Sequence, residues 1–146
     1  MQSVFTILLE AVLKKYISAK LAGNILIVLL ALLAIFHVLI LLHVFPPGIV
    51  WGGQLEDGSQ NALSLELVSL IVTLLFLTIV AMRTGYIKTG KSGRAVRFGL
   101  WIMCGYFILN TIGNLASGVA VENMIFAPLT IIMAFLTLRL ALDNES

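Results

Sequence analysis

Six polar side chains lie in or beside strongly apolar segments, and they are the residues of this sequence most suited to chemistry. They are His37, His43, Glu66, Asn110, Asn114 and Glu122. Imidazole and carboxylate groups together can hold a divalent metal ion, and histidine also exchanges protons near neutral pH. Asparagine amides add hydrogen-bond donors and acceptors. The set therefore predicts a ligand-binding site, although the residue types do not identify a metal.

The depths of these side chains agree if each apolar segment is a helix. His43 lies at the end of the first segment, and His37 lies about 9 Å further in at 1.5 Å per residue. Glu66 lies about 6 Å below the start of the second segment. Asn110 and Asn114 are four residues apart, so they share one face of the third segment. One cavity that opens at a single end of the helices would contain them.

Each of these residues also has an ordinary structural interpretation. Glu66 and Glu122 lie near helix starts, where the helix dipole favours a carboxylate. Asn110 and Asn114 are typical of hydrogen bonds between membrane helices. The two histidines are six residues apart, about 240° around one helix, so they cannot both face one site unless the chain bends.

The elements that would position these residues are four long apolar segments. The chain has 146 residues, of which 60% are hydrophobic and 11% are charged, compared with about 25% charged residues in soluble domains. Segments of about 20 apolar residues span a bilayer as helices, which satisfy their own backbone hydrogen bonds. We therefore predict an all-α membrane protein, a four-transmembrane-helix bundle in one domain over residues 1–146, with helices at about 22–44, 62–82, 98–118 and 121–140.

The nine basic residues predict the orientation of this bundle. All of them fall before the first helix, between the second and third helices, or at the end of the fourth. They are Lys14, Lys15, Lys20, Arg83, Lys88, Lys91, Arg94, Arg97 and Arg139. The positive-inside rule then places both termini in the cytoplasm, in a multi-pass protein of the cell (inner) membrane. The six polar residues would open toward the outer side.

The segment that precedes the first membrane helix predicts a helix of its own. Polar residues recur at helical spacing over residues 2–19, and Glu10 and Lys14 form an i,i+4 pair in the favourable order. We predict an N-terminal amphipathic helix that lies in the membrane interface. The alternative is that this segment extends the first membrane helix.

The chain shows two resemblances to known families. In the first, a histidine is followed after seven residues by Trp-Gly-Gly, at His43 and Trp51-Gly52-Gly53. This pattern resembles a short stretch of the CopD copper-resistance membrane family, which implies copper handling at the periplasmic face. Pro46 and Pro47 depart from that pattern. The whole chain resembles small uncharacterised four-helix bacterial membrane proteins, a likeness that implies no activity. It is carried by Trp51-Gly52-Gly53, Asn110-Thr111-Ile112-Gly113-Asn114, and Glu122 with Phe126-Ala127-Pro128-Leu129-Thr130.

Three functions remain open from the sequence. The first is a pocket near the outer leaflet for a small ligand, a lipid headgroup or an ion. The second is a small oligomeric ion- or proton-coupled transporter with Glu66 and His37 as coupling groups. The third is a structural or accessory subunit of a membrane complex, whose polar residues only hold helices together.

The sequence also limits the chemistry and the partners. We do not expect an enzyme, because no nucleophile and base stand at a readable spacing. No cofactor is expected, and the single cysteine, Cys104, leaves no intramolecular disulfide. The expected partners are the lipid bilayer and either a second copy of the chain or another membrane protein. A nucleic acid is not expected, because no long basic patch with interleaved aromatic residues occurs.

Overall fold

The fold consists of four long helices preceded by a shorter one. A computed structural model describes residues 4–55, 59–88 and 93–143, and these contain helices and turns but no strands. Lys91, Glu56 and Asp57 lie outside the described residues. The helices are α1 (Val4–Tyr16), α2 (Ala19–Leu41), α3 (Gln60–Arg83), α4 (Gly93–Ala116) and α5 (Ala127–Leu142), with a π-helical segment (Glu122–Phe126) leading into α5.

Four spans are long and apolar enough to cross a membrane, namely α2, α3, α4 and the continuous stretch Glu122–Leu142. The all-helical prediction is confirmed for the described residues. Large apolar side chains cover the outside of the bundle, and on α2 Val28, Leu32 and Ile35 are each more than half exposed. Such a surface suits contact with lipid chains, because exposing apolar area to water costs free energy.

The observed helix bounds differ from the predicted ones for local reasons. Helix α2 begins where Ser18 accepts a hydrogen bond from Leu21 N at 3.2 Å, and it ends at Leu41 because His43 adopts a left-handed conformation with φ of 58°. Helix α4 begins at Gly93 rather than at residue 98. Apolar composition identifies only the part of a helix that suits lipid. Helix α4 begins before that part and includes the polar residue Arg94.

Helix α1 is separate from α2, because the chain is non-helical at residues 17 and 18. It packs against α5 and buries Leu13 and Glu10, while Lys14 forms an ion pair of 3.2 Å with Glu10. The helix covers residues 4–16 of the predicted segment. Its location in a membrane interface stays a prediction.

The bundle packs around α5, whose span is the most buried of the four. Helix α5 contacts both α4 and α2, and α3 packs against α2 and α4. The core between them is apolar, and Leu26, Leu30, Leu100, Met133 and Leu140 are at most 1% exposed. Tight packing of this kind holds the helices in one arrangement.

One end of the bundle is held together by two arginines, of which Arg139 is buried and Arg83 is half-buried. Arg139, 3% exposed, donates to Ile17 O at 3.0 Å and to Asp143 Oδ1 at 3.1 Å. Arg83 donates to Leu140 O at 3.3 Å and to Asp143 Oδ2 at 3.2 Å. These bonds join the end of α3, the end of α5 and the α1–α2 junction. We call this end, which also carries the start of α4, the basic end.

Candidate functional site

A cavity of about 120 Å³ lies between the helices in the half of the bundle away from the basic end. We call this half the cavity end. The lining combines polar groups from every helical span with a wall of aromatic rings. The polar and charged lining residues are His37, Glu66, Ser69, Thr73, Asn110, Asn114, Glu122 and Thr130, and the aromatic ones are Phe36, Trp51, Phe76, Tyr106, Phe107 and Phe126.

Glu66 is the most buried charged group of the cavity, at 1% exposed. His37 Nδ1 lies 2.7 Å from Glu66 Oε2, and the indole nitrogen of Trp51 donates to Glu66 Oε1 at 2.6 Å. An imidazole that carries a proton on Nδ1 donates to Glu66 Oε2, because an ionised carboxylate only accepts hydrogen bonds. Both oxygens of this carboxylate are thereby fixed by partners from two other parts of the chain.

Glu122 occupies a similar position at the start of the π-helical segment, at 6% exposed. Its two oxygens lie 3.2 and 3.0 Å from the backbone nitrogen of Gly52, which donates to the carboxylate. Ser117 Oγ donates to Oε2 of the same group and accepts from Val119 N at 3.0 Å. The short α4–α5 connection and the loop after α2 therefore meet at this carboxylate.

The loop of residues 46–55 closes over the cavity between these two glutamates. It contains two 3₁₀ turns, Pro47–Ile49 and Trp51–Gly53. Trp51, Gly52 and Gly53 all have positive φ, at 58°, 66° and 70°. A tryptophan in this region is strained, and such a conformation persists only where surrounding contacts hold it. Here the hydrogen bonds to Glu66 and Glu122 hold it.

The remaining polar wall comes from α4 and α5. Asn110 donates through Nδ2 to Tyr106 O at 3.1 Å, and both residues line the cavity. Asn114 is half-buried one turn further along the same face. Thr111 and Thr130 join α4 to α5 through their hydroxyl groups at 2.9 Å. The asparagine side chains thus face the cavity, while a threonine pair makes the contact between these two helices.

The π-helical segment turns the start of the last span toward the cavity. It lies immediately before α5, in which Pro128 stands near the start. A proline cannot donate to the preceding turn, and wider π turns often occur where a helix carries a functional group. The widened turn contains both Glu122 and Phe126, two of the lining residues.

Five of the six candidate residues thus line one cavity: His37, Glu66, Asn110, Asn114 and Glu122. His43 does not. It is exposed beyond the end of α2 and borders a smaller neighbouring pocket that shares Glu66. Whether the five form a binding site stays a prediction.

The sequence analysis missed three contributors. The Trp51 indole was given no role in the site, yet it donates to a buried carboxylate. The backbone nitrogen of Gly52 and the ring of Tyr106 were not singled out. A signal existed for Tyr106, which stands four residues before Asn110 and therefore shares its helix face.

Metal-ligating residues are not concentrated anywhere in the described part of the chain. No group of three or more His, Cys, Asp or Glu side chains there lies close enough to hold a metal ion. Cys104 is buried in the apolar core, and its sulfur lies 3.7 Å from Ala134 O. What distinguishes the cavity is therefore the pairing of buried carboxylates with aromatic rings.

Comparison of the chain with protein-family models, with curated proteins and with solved structures finds no match.

Proposed function

We propose that this chain is a multi-pass protein of the cell membrane that binds a small ligand from the outer side, in the cavity between its helices. The observation that carries the proposal is the convergence of five polar residues, from all four spans, on one cavity. Ligand sites in proteins are typically concave, largely apolar and furnished with a few converging polar groups.

The proposed orientation places the cavity end outside and both termini in the cytoplasm. The described basic residues flank the helix ends opposite to the cavity, and Arg83 and Arg139 are both at the basic end. A bias of this kind normally marks the cytoplasmic side of a bacterial inner-membrane protein. A ligand would then enter beside the 46–55 loop.

Binding is favoured over transport by the character of the other half of the bundle. An ion- or proton-coupled transporter needs a polar path through both halves. Toward the basic end the core between the helices is mainly apolar and includes Leu26, Val80, Leu100, Leu136 and Leu140, each at most 3% exposed. An accessory subunit without a ligand would have no need of a cavity lined by buried carboxylates, which are costly to desolvate.

A thermal-shift screen of the protein in lipid nanodiscs tests this proposal. The library contains small cations, zwitterions, neutral polar compounds and anions. Asn114→Leu fills the cavity, and His43→Leu makes a similar change outside it. We expect at least one compound class to raise the Tm of the wild type and of His43→Leu, but not of Asn114→Leu. The proposed binding function would be refuted if the compound raised the Tm of Asn114→Leu as well, or if no compound class raised the Tm of the wild type.

A further inference from the structure

Glu66 and Glu122 place two carboxyl groups in the cavity, and its lining contains no lysine or arginine. With both carboxyl groups ionised the cavity is negative, because His37 can balance at most one of them. Both glutamates are at most 6% exposed. Buried charge without a counter-charge is costly, so a cation in the cavity would be stabilised there.

The aromatic wall favours an organic cation over a hydrated ion. Six rings line the cavity, and Phe76 packs edge-on against Tyr106 at 5.2 Å and against Phe107 at 5.7 Å between centroids. Faces of aromatic rings attract ammonium groups, and cages of such rings are the usual sites for methylated ammonium compounds. A metal ion would instead need several free oxygen or nitrogen ligands.

The oxygens of the two glutamates already accept hydrogen bonds, from Trp51, His37, Gly52 and Ser117. The two glutamates therefore suit electrostatic attraction of a cation at a distance better than direct coordination of a metal ion. Asn110 complements them, because its Nδ2 donates to Tyr106 O and its carbonyl oxygen remains an acceptor. A ligand with a positive charge and apolar substituents satisfies all of these groups.

Resting on the proposed binding function, we propose that the ligand is a small organic cation, an amine or methylated ammonium compound, held between Glu66, Glu122 and the aromatic wall. The volume of about 120 Å³ sets its size. An apolar cavity of about 150 Å³ holds a benzene molecule, so a compound of about the size of benzene or smaller suits this cavity.

The emission of Trp51 reports occupancy of the cavity directly, because its indole lines the cavity and donates to Glu66. Trp101→Phe removes the other tryptophan and leaves Trp51 as the sole indole. The protein in nanodiscs is titrated with tetramethylammonium and ethylammonium chloride. The neutral probe is tert-butanol, which resembles tetramethylammonium in shape, and the anionic probe is sodium acetate.

We expect both ammonium probes to change Trp51 emission saturably, and the neutral and anionic probes to have no saturable effect. Glu122→Gln keeps one oxygen that can accept from both Gly52 and Ser117 but removes the charge. It should weaken ammonium binding at least about tenfold, as should Glu66→Gln. Glu10→Gln, a matched change at the basic end, should leave binding unaltered. Two Gln variants guard against a folding defect in one.

Three results would overturn the proposal, and their consequences differ. Saturation by tert-butanol or acetate at concentrations similar to the ammonium probes would refute a cationic ligand while leaving a binding cavity in place. No saturable response from any probe would also refute it, and the library screen then shows whether a binding function survives. If both Gln variants bound the ammonium probes as tightly as the protein with both glutamates does, the carboxylates would play no part in binding.

Discussion

The hydrogen bond between Trp51 and Glu66 should be measurable as a coupling free energy between the two side chains. Trp51→Phe removes the indole N–H and keeps an aromatic ring, and Glu66→Leu removes the acceptor. In a double-mutant cycle the coupling isolates this one contact from the other consequences of each substitution. The N–O distance of 2.6 Å and the burial of the carboxylate both indicate a strong bond.

The expected size of this coupling follows from the charge of the acceptor. Hydrogen bonds to charged groups contribute about 1.5–3 kcal/mol in soluble proteins. Hydrogen bonds within membrane helix bundles average about 0.6 kcal/mol, with a maximum of about 1.7. Because this acceptor is a buried glutamate oxygen at a short distance, we expect about 1.5 kcal/mol, a factor of about ten in the unfolding equilibrium.

The assay is reversible unfolding of the purified protein in mixed micelles as the denaturing detergent fraction is raised. Trp101→Phe paired with Glu66→Leu gives the matched control, because Trp101 lies in the first turns of α4 and far from Glu66 along the bundle. This control pair should be additive. A Trp51–Glu66 coupling below about 0.4 kcal/mol, the error of additivity for independent sites, would show that the indole does not hold the loop over the cavity.

Two further predictions concern the loop and the basic end. Gly53→Ala should destabilise the fold by about 1–2 kcal/mol in the same unfolding assay, because φ is +70° and the added Cβ would lie 3.2 Å from a valine methyl; an unchanged midpoint would contradict the loop conformation. Arg139→Met should lower the free energy of unfolding by about 2–3 kcal/mol, because it breaks the buried ion pair with Asp143 while the Arg83–Asp143 pair remains. Unchanged stability would show that the Arg139–Asp143 contact does not stabilise the fold.

The helices and the depths of the polar residues could be read from the sequence, because apolar composition and the helical rise depend on local chain properties. His43 shows the limit of depth counting. It is close in sequence to His37, but its left-handed backbone follows the end of α2 and carries it away from the cavity. A helix end set by one residue's conformation is not visible in hydropathy.

The loop over the cavity could not be predicted, because its structure depends on contacts between distant parts of the chain. Trp51 bonds a residue 15 positions away, and Gly52 bonds one 70 positions away. Proline pairs and glycine pairs are typical of chain breaks and turns, but neither Pro46-Pro47 nor Gly52-Gly53 identifies a partner. Likewise a proline such as Pro128 is typical of a helix kink, but the sequence does not distinguish a kink from the π-helical turn that precedes this residue.

The central claim is that the cavity opens to the outer side of the membrane, and cysteine labelling tests it most directly. In a Cys104→Ala background, Asn114→Cys places the only thiol in the cavity wall, and Lys88→Cys places one at the basic end. Intact cells are treated with a membrane-impermeant trimethylammonium methanethiosulfonate reagent. We expect Asn114→Cys to react from outside and Lys88→Cys to react only after the membrane is permeabilised. Reaction of Lys88→Cys in intact cells, or of Asn114→Cys only after permeabilisation, would contradict the account.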